Sequence, residues 1–234
     1  MNKNMSFFEH LDELRNRIIK SILFSIIFTV VSYLYSDKII QFLISPINEH
    51  LINFQVLKIT SIFFVKLGVS VVFGLLISFP FILFQILKFI LPVFEKLTIR
   101  KVVFFTFLSY LLFLFGMLFG YKVIIPFSIS FFTELSSGIE YIGLNYTLEN
   151  YLSYIMWILV ASSLIFQLPF ILIILVKIKI FTLQNLINSR KHFIVFFFIL
   201  GALMTPPDPM SQIFIVIPLI FLFEISIILV RFLD

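Results

Sequence analysis

The sequence predicts an all-α membrane protein in which six transmembrane helices form one bundle. Three observations lead to this fold class: 61% of the 234 residues are apolar, the mean hydropathy is +1.16, and the apolar residues are gathered into runs of helical length. A soluble domain has only about 45–50% apolar residues. Because no repeat or Gly/Ser-rich linker divides the chain, we expect residues 1–234 to form a single integral membrane domain.

The individual spans follow from the thickness of the bilayer, because a hydrocarbon core about 30 Å thick requires roughly 20 apolar residues in a helix. We predict spans at approximately 18–36, 67–91, 102–126, 151–176, 193–206 and 211–231. The last two are short. The fifth has about 12 strictly apolar residues, which reach only roughly 18 Å as a helix. It is therefore either a short span in a locally thinned bilayer or a re-entrant element.

The distribution of positive charge predicts the orientation. Most of the 17 Lys and Arg residues fall in the N-terminal segment, the connections at 92–101 and 177–192, and the C-terminus. Such connections stay on the cytoplasmic or matrix side, so we place both termini there. A re-entrant fifth segment would put the two basic connections on opposite sides, which favours the short span. The net charge of +5 thus reflects topology, and nucleic-acid binding has no support.

The residue types exclude several kinds of chemistry. The chain contains no cysteine, which rules out disulfides, thiolate metal sites and cysteine nucleophiles. The three histidines, His10, His50 and His192, flank the apolar runs instead of lying inside them. A phosphate-binding GxxxxGK[ST] motif and a GxSxG motif are also missing from the sequence. We therefore expect no metal, no cofactor and no enzymatic activity.

Charge is concentrated in FFEHLDELRNR, residues 7–17, at the start of the first span. In a helix, Glu13 is four residues from both Glu9 and Arg17, and Asp12 is three residues from Arg15, so opposite charges can pair. This end of the helix is expected at the inner membrane interface. The charges either solvate the end of the helix or form a binding site.

Two polar side chains inside the predicted spans, Gln167 and Glu224, are further candidates. Counted from the outer ends of their spans, they lie roughly 24 Å and roughly 20 Å deep. Polar groups in the bilayer are costly and are therefore candidates for function. They either dock a partner helix or, in the case of Glu224, serve as a hydrogen-bonded packing residue. A proton-coupled small-solute transporter is the alternative function, because such groups can line a solute path.

The connection between the last two spans is a predicted turn on the outer side. Pro206 and Pro207 fix its backbone, and Asp208 can cap the sixth helix. Pro46 and Pro126 are interpreted as helix-end markers in the two outer segments of the chain. These residues favour a structural turn over a binding site.

Six motifs occur in an order that is found in a known family. They are HLDELRNR (10–17), FVKLGVSV (64–71), FPFILFQILKFILPVF (79–94), FGMLFGYKVIIPFSISFF (115–132), FQLPFIL (166–172) and GALMTPPDPMSQIFIVIPLIFLFEI (201–225). Together they resemble the TatC family, the multi-spanning core subunit of the twin-arginine translocase. The resemblance implies a receptor for the twin-arginine signal peptides of folded substrates, in a Sec-independent translocase driven by the proton-motive force. It also implies small single-span TatA- or TatB-type partners, homo-oligomers and a lipid environment.

The resemblance places the signal-peptide site on the charged N-terminal helix. Guanidinium groups pair with carboxylates in bidentate geometry, and Glu13 is our first candidate, together with Glu9, Asp12 and Arg17. The resemblance also adds the connection at 92–101. There, Thr98 stands where the family usually has a glutamate.

Two further positions follow from the same comparison. Glu95 could supply the carboxylate that is missing at Thr98 if the connection shifts by about one helical turn. Gln167 stands where the family commonly has a glutamate facing a concave polar pocket. In the family, the outer turn around Asp208 is assigned to partner contact.

The location is predicted from composition and from the C-terminal motif. The 34 phenylalanines are typical of drift in an AT-rich genome, and the TPPDPMSQ ending resembles the proteobacterial and mitochondrial branch of the family. We expect the mitochondrial inner membrane, with the bacterial inner membrane and the thylakoid as alternatives.

Overall fold

The computed structural model of the protein describes residues 7–45, 54–90, 99–137, 147–204 and 209–233. Within these ranges the regular secondary structure is helical, joined by turns and short connections, and the β contact is an isolated bridge between Gln55 and Thr147. The helices are α1 (Phe7–Leu34), α2 (Ser36–Ile44), α3 (Ser61–Ile90), α4 (Ile99–Phe119), α5 (Ile125–Ser137), α6 (Leu148–Ile165), α7 (Leu168–Lys177), α8 (Leu183–Asn188), α9 (Arg190–Met204) and α10 (Pro209–Leu233). A π-helical segment, Gly120–Ile124, joins α4 to α5.

Four helical segments in the described ranges are long and apolar enough to cross a membrane. They are Phe8–Leu34, Ser61–Ile90, Ile99–Glu134 and Leu148–Lys177, and they contain nearly all of the first four predicted spans. The fifth and sixth predicted spans correspond to α9, with 15 residues, and α10, with 25 residues. The all-α fold class is thus confirmed, while the number of spans and the side of each terminus stay predictions.

Helix α1 begins at Phe7, so the charged segment that precedes the first predicted span is helical, as the spacing of its ion pairs indicates. The preceding residues are charged, but they are spaced so that opposite charges meet one turn apart, which stabilises a helix without apolar packing. The first span and the charged cluster therefore form one continuous helix.

Pro126 does not end a helix, so this interpretation was wrong. It is the second residue of α5 and follows directly on the π-helical segment, where the N–H of Ile125 donates to the carbonyl of Gly120. In the π-helical segment the N–H bonds to the carbonyl five residues earlier, which changes the hydrogen-bond register just before the proline. A proline in the first turn of a helix is tolerated because an N–H at that position would have no partner within the helix. The helix therefore continues to Ser137.

The residue contacts divide into two compact units, and the first unit comprises Met1–Gln41 and Ile62–Leu111. In it, α1 and α3 approach most closely where Gly74 faces Thr29: a Cβ atom at Gly74 would lie 2.7 Å from the Thr29 Cα. The rings of Phe24 and Phe81 stack with centroids 4.2 Å apart. Backbone contact and ring stacking therefore hold these two helices together.

The second unit comprises Phe42–Ser61 and Leu112–Asp234. A close helix contact in it joins the end of α4 to α6, where a Cβ atom at Gly116 would lie 2.7 Å from the carbonyl oxygen of Ser162. One turn further, a Cβ at Gly120 would lie 3.2 Å from the Ser162 Cβ. Small residues spaced four apart let membrane helices pack backbone to backbone, and here the pair is used within the chain.

The core of the second unit continues along α10, which packs against α7 and α9. The buried side chains Phe197, Leu219 and Phe223 lie at this packing, and Phe197 and Phe223 meet edge to face with centroids 5.9 Å apart. The two C-terminal helices are thus held by apolar contacts, in keeping with their composition.

Candidate functional site

The charged cluster forms ion pairs along the first turns of α1. The Arg17 Nε donates to the Glu13 Oε1 over 3.1 Å, and the Arg17 Nη2 also pairs with the same oxygen. The Arg15 Nη1 lies 3.8 Å from the Asp12 Oδ1. Both pairs are the ones that the spacing predicts.

The two pairs differ in exposure. The side chains of Asp12 and Arg15 are 68% and 69% exposed, and an exposed pair contributes little to stability. The side chains of Glu13 and Arg17 are only 21% and 12% exposed. Glu9 lies on the exposed surface as well. Glu13 is therefore the carboxylate of this cluster that is largely removed from water.

Helix α3 supplies the surroundings of the Glu13–Arg17 pair. The Arg17 Nη1 donates to the Gln85 Oε1 over 3.4 Å. The ring of His10 stacks on Phe89 with centroids 4.2 Å apart, and its Nδ1 lies 3.8 Å from the Glu13 Oε2. Sequence reasoning missed these three neighbours of the pair. Gln85, a polar side chain within an apolar run, was the signal that could have indicated a site.

The second oxygen of Glu13 has unused capacity to accept hydrogen bonds. Its Oε2 is buried and, among the residues that the structure describes, has no hydrogen-bond partner. An ionised carboxylate accepts at both oxygens, and leaving a buried acceptor unpaired is unfavourable. A donor that reached this oxygen would therefore gain a strong bond.

A groove lies between α1 and α3 beside the pair. Its volume is about 590 Å³, and Arg17 and Gln85 line the end that is nearest to the charged start of α1. The rest of the lining is mostly apolar and runs along α1 from Leu14 to Val30 and along α3 from Val71 to Phe89. A carboxylate thus stands next to an apolar groove.

Gln167 lies at the break in the fourth predicted span. Helix α6 ends at Ile165, and α7 begins at Leu168 with Pro169 in its first turn. The side chain of Gln167 is buried, at 5% exposure, and its backbone carbonyl accepts from the N–H of Ile171 over 2.9 Å. The break therefore holds this amide inside the second unit.

Glu224 forms an ion pair that the sequence did not reveal. The Arg190 Nη2 donates to the Glu224 Oε2 over 2.8 Å, and the two side chains are 47% and 41% exposed. Arg190 opens α9 and Glu224 lies about 22 Å along α10 from Pro209. Because α9 is itself only about 21 Å long, this distance brings Glu224 level with the first residue of α9.

The remaining predicted site residues lie outside the described ranges. They are Pro46, Glu95, Thr98, Pro206, Pro207 and Asp208. In the part of the chain that is described, no three His, Asp or Glu side chains lie close enough together to hold a metal ion. The arrangement that emerges is a largely buried carboxylate paired with an arginine that lines one end of an apolar groove.

These features define an all-α integral membrane protein with a charged site near the N-terminal end of α1. The family model described as Sec-independent protein translocase protein (TatC) matches residues 9–218. The chain therefore belongs to the TatC family, and the resemblance seen in its six motifs is confirmed.

Similarity extends over the whole chain. It is 33% identical to the tatC-like protein ymf16 of Reclinomonas americana, over 97% of this chain and 88% of that protein. It is 32% identical to the tatC-like protein ycf43 of Gracilaria tenuistipitata var. liui, over 100% and 97%. A crystal structure of the twin-arginine translocase receptor TatC in DDM matches with a TM-score of 0.84 and 31% identity, over 94% of this chain and 99% of that chain. The fold is thus that of TatC.

Proposed function

We propose that the protein is the twin-arginine signal-peptide receptor and core component of a Sec-independent translocase that moves folded proteins, driven by the proton-motive force. Membership of the TatC family supports this function. The observation that carries it to a site is the largely buried Glu13 carboxylate, whose Oε1 holds Arg17 while its Oε2 has no hydrogen-bond partner among the described residues. A guanidinium that reached this oxygen would form a charge-assisted hydrogen bond.

The other charged residues of α1 have secondary roles in this proposal. Glu9 and Asp12 are exposed and add negative potential for an approaching cationic peptide. Arg17 fixes the orientation of Glu13. Glu95 and Thr98 are proposed as the second half of the site because of the family resemblance.

The proposed topology has six spans in a single integral membrane domain, with both termini on the cytoplasmic or matrix side. The positive charge of the inner connections supports this arrangement. The proposed membrane is the mitochondrial inner membrane, because of the Phe-rich composition and the form of the C-terminal motif. Cell fractionation with a tagged chain tests the location, and recovery in another membrane would contradict it.

Partner subunits are proposed to be small single-span TatA- or TatB-type proteins, and the chain is proposed to form homo-oligomers without acting as an enzyme. Gln167 and the Arg190–Glu224 pair are the proposed docking groups for partner helices. Support comes from the partial exposure of the pair, since a partly exposed charged pair can take further hydrogen bonds. Pro46, Pro206, Pro207 and Asp208 are proposed as outer turn residues.

The test of the receptor function is a binding experiment with Glu13→Gln. A hydrogen bond to a charged group contributes about 1.5–3 kcal/mol, and each 1.4 kcal/mol is about tenfold in affinity. We expect the dissociation constant for a fluorescent twin-arginine peptide to rise about 10- to 100-fold, with normal membrane insertion. Asp37→Asn removes a carboxylate in the first turn of α2, beyond the far end of α1, and should leave binding unchanged.

Photo-crosslinking gives an independent check. Photoreactive residues at positions 13, 95 and 98 should label a twin-arginine peptide more strongly than a twin-lysine peptide, because lysine cannot form the bidentate pair. Equal labelling of the two peptides, or wild-type affinity in Glu13→Gln, would move the site elsewhere.

A further inference from the structure

We propose that the imidazole ring of His10 covers the second carboxylate oxygen of Glu13 and has to move aside before a guanidinium of the ligand can bind this oxygen. The inference rests on the proposed receptor function and adds a residue that controls access to the same site. It also explains how an oxygen that is buried in the structure can become available to a ligand.

Helix α3 holds the ring of His10 in place. The ring stacks on Phe89 with an interplanar angle of 13° and centroids 4.2 Å apart, and two aromatic rings attract each other beyond the apolar area that they bury. In this position the His10 Nδ1 lies 3.8 Å from the Glu13 Oε2. The ring therefore occupies the space beside this oxygen.

The ring lies beside the oxygen without satisfying it. An N–H···O hydrogen bond spans at most about 3.2 Å between the heavy atoms, so the separation of 3.8 Å is too long for one. The Glu13 Oε2 has no hydrogen-bond partner among the described residues, and an unpaired buried acceptor is unfavourable. The stacking on Phe89 maintains the closed arrangement, and no bond to Glu13 has to be broken when the ring leaves.

The surroundings of His10 allow the ring to leave. Its side chain is 39% exposed, compared with 21% for Glu13, and His10 lies in the first turn of α1. A change of side-chain rotamer turns the ring off Phe89 while the backbone stays in place. Because the Arg17 Nε still donates to the Glu13 Oε1, the carboxylate keeps its orientation during this movement.

The exchange of His10 for a guanidinium is favourable. A guanidinium is always charged and has five N–H donors, and its hydrogen bond to a carboxylate is about twice as strong as a bond between neutral groups. What is lost is one ring contact that contains no hydrogen bond. An arginine side chain of the ligand can therefore displace the ring, whereas an apolar side chain gains nothing at this oxygen.

The size of the effect follows from the strength of the stacking. An aromatic pair of this kind favours the closed over the open arrangement about two- to tenfold. The apparent dissociation constant equals the intrinsic constant divided by the open fraction, which is then about 10–30%. Removal of the ring should therefore strengthen ligand binding about three- to tenfold.

The first experiment measures the cover without any peptide. Full-length protein in lipid nanodiscs is treated with a water-soluble carbodiimide and glycine ethyl ester, and mass spectrometry follows the labelling of each carboxylate. We expect the labelling rate of Glu13 to rise about three- to tenfold in His10→Ala. His10→Phe places a ring on Phe89 again and should restore slow labelling. Asp12, whose side chain is 68% exposed, is the internal reference and should label equally in all three proteins.

The second experiment measures binding of a fluorescent twin-arginine peptide to the same proteins. His10→Ala should lower the dissociation constant about three- to tenfold and raise the association rate constant, because more molecules are open. His10→Phe should reverse this gain. Leu11→Ala, at an exposed neighbouring position, should bind like the unmodified protein. The gain should also be absent when His10→Ala is combined with Glu13→Gln, because the uncovered group is then no longer a carboxylate.

The outcomes separate the cover from the receptor function. If the unmodified protein binds the peptide in a manner that depends on Glu13, unchanged labelling of Glu13 in His10→Ala overturns the cover, and so does unchanged or weaker peptide binding in this variant. A gain that persists with Glu13→Gln shows that the ring acts elsewhere and also overturns it. Each of these results leaves the receptor function standing. Failure of the unmodified protein to bind the peptide overturns the receptor function and, with it, the inference that rests on it.

Discussion

The packing of α4 on α6 predicts that two glycines one turn apart respond differently to the same added methyl group. In Gly116→Ala, the new Cβ would meet fixed backbone: 2.7 Å to the Ser162 carbonyl oxygen and 2.9 Å to the Ser163 Cα. In Gly120→Ala, the Cβ would overlap the Ser162 hydroxyl, which can rotate, and otherwise lies 3.2 Å from the Ser162 Cβ. The first obstacle is rigid and the second is movable.

The magnitudes follow from two opposing effects. Overpacking costs about 1–3 kcal/mol, and replacing glycine by alanine inside a helix gains up to about 1 kcal/mol. For Gly116→Ala the clash dominates, so we expect a net loss of about 1–2 kcal/mol. For Gly120→Ala the two effects nearly cancel. At this chain length, a change of 1 kcal/mol in the free energy of unfolding shifts the Tm of a soluble protein by about 2–4 °C. The assay must therefore resolve changes in Tm of this size.

The assay is thermal unfolding in detergent, with Ser162→Ala as the diagnostic partner. Removing the Ser162 hydroxyl should stabilise Gly120→Ala relative to the single variant, because it removes the overlapping atom. It should not help Gly116→Ala, whose obstacle is backbone. Wild-type stability of Gly116→Ala, or its rescue by Ser162→Ala, would refute the close backbone contact.

Two more predictions concern single interactions. Lys179 has a φ of 61°, a region that costs a non-glycine residue about 1–2 kcal/mol. Lys179→Gly should therefore raise the free energy of unfolding by about 1 kcal/mol in detergent, while Lys177→Gly at the last residue of α7 should lower it. A loss in both variants would contradict this. Arg190→Gln and Glu224→Gln should show a coupling of about 0.5–1 kcal/mol in a double-mutant cycle, and additive effects would show that the pair contributes nothing.

The helices were largely predictable because apolar runs of bilayer length leave few alternatives. Their ends were less so. The spacing of the ion pairs indicates that the charged residues before the first span are helical, and α1 does begin at Phe7. The continuation of the helix beyond Pro126 depends on a π-helical segment just before it, and hydropathy does not record such a local change in hydrogen bonding.

The site was predictable to the extent that it is local. The Glu13–Arg17 pair follows from spacing within one helix. The contacts of this pair with His10, Gln85 and Phe89 depend on how α3 packs against α1. Likewise, the sequence predicted how deep Glu224 lies in its span, but it did not identify Arg190 as the partner of Glu224. That pairing arises because α9 is short enough for its first residue to meet Glu224.

The close approach of Gly74 to Thr29 has a consequence for the groove. Thr29 also lines the groove, and the lining continues past this contact to Val30 and Val71. Because a Cβ atom at Gly74 would lie 2.7 Å from the Thr29 Cα, any larger residue at this position would push α3 away from α1. One missing methyl group therefore sets the spacing of the two helices that line the groove.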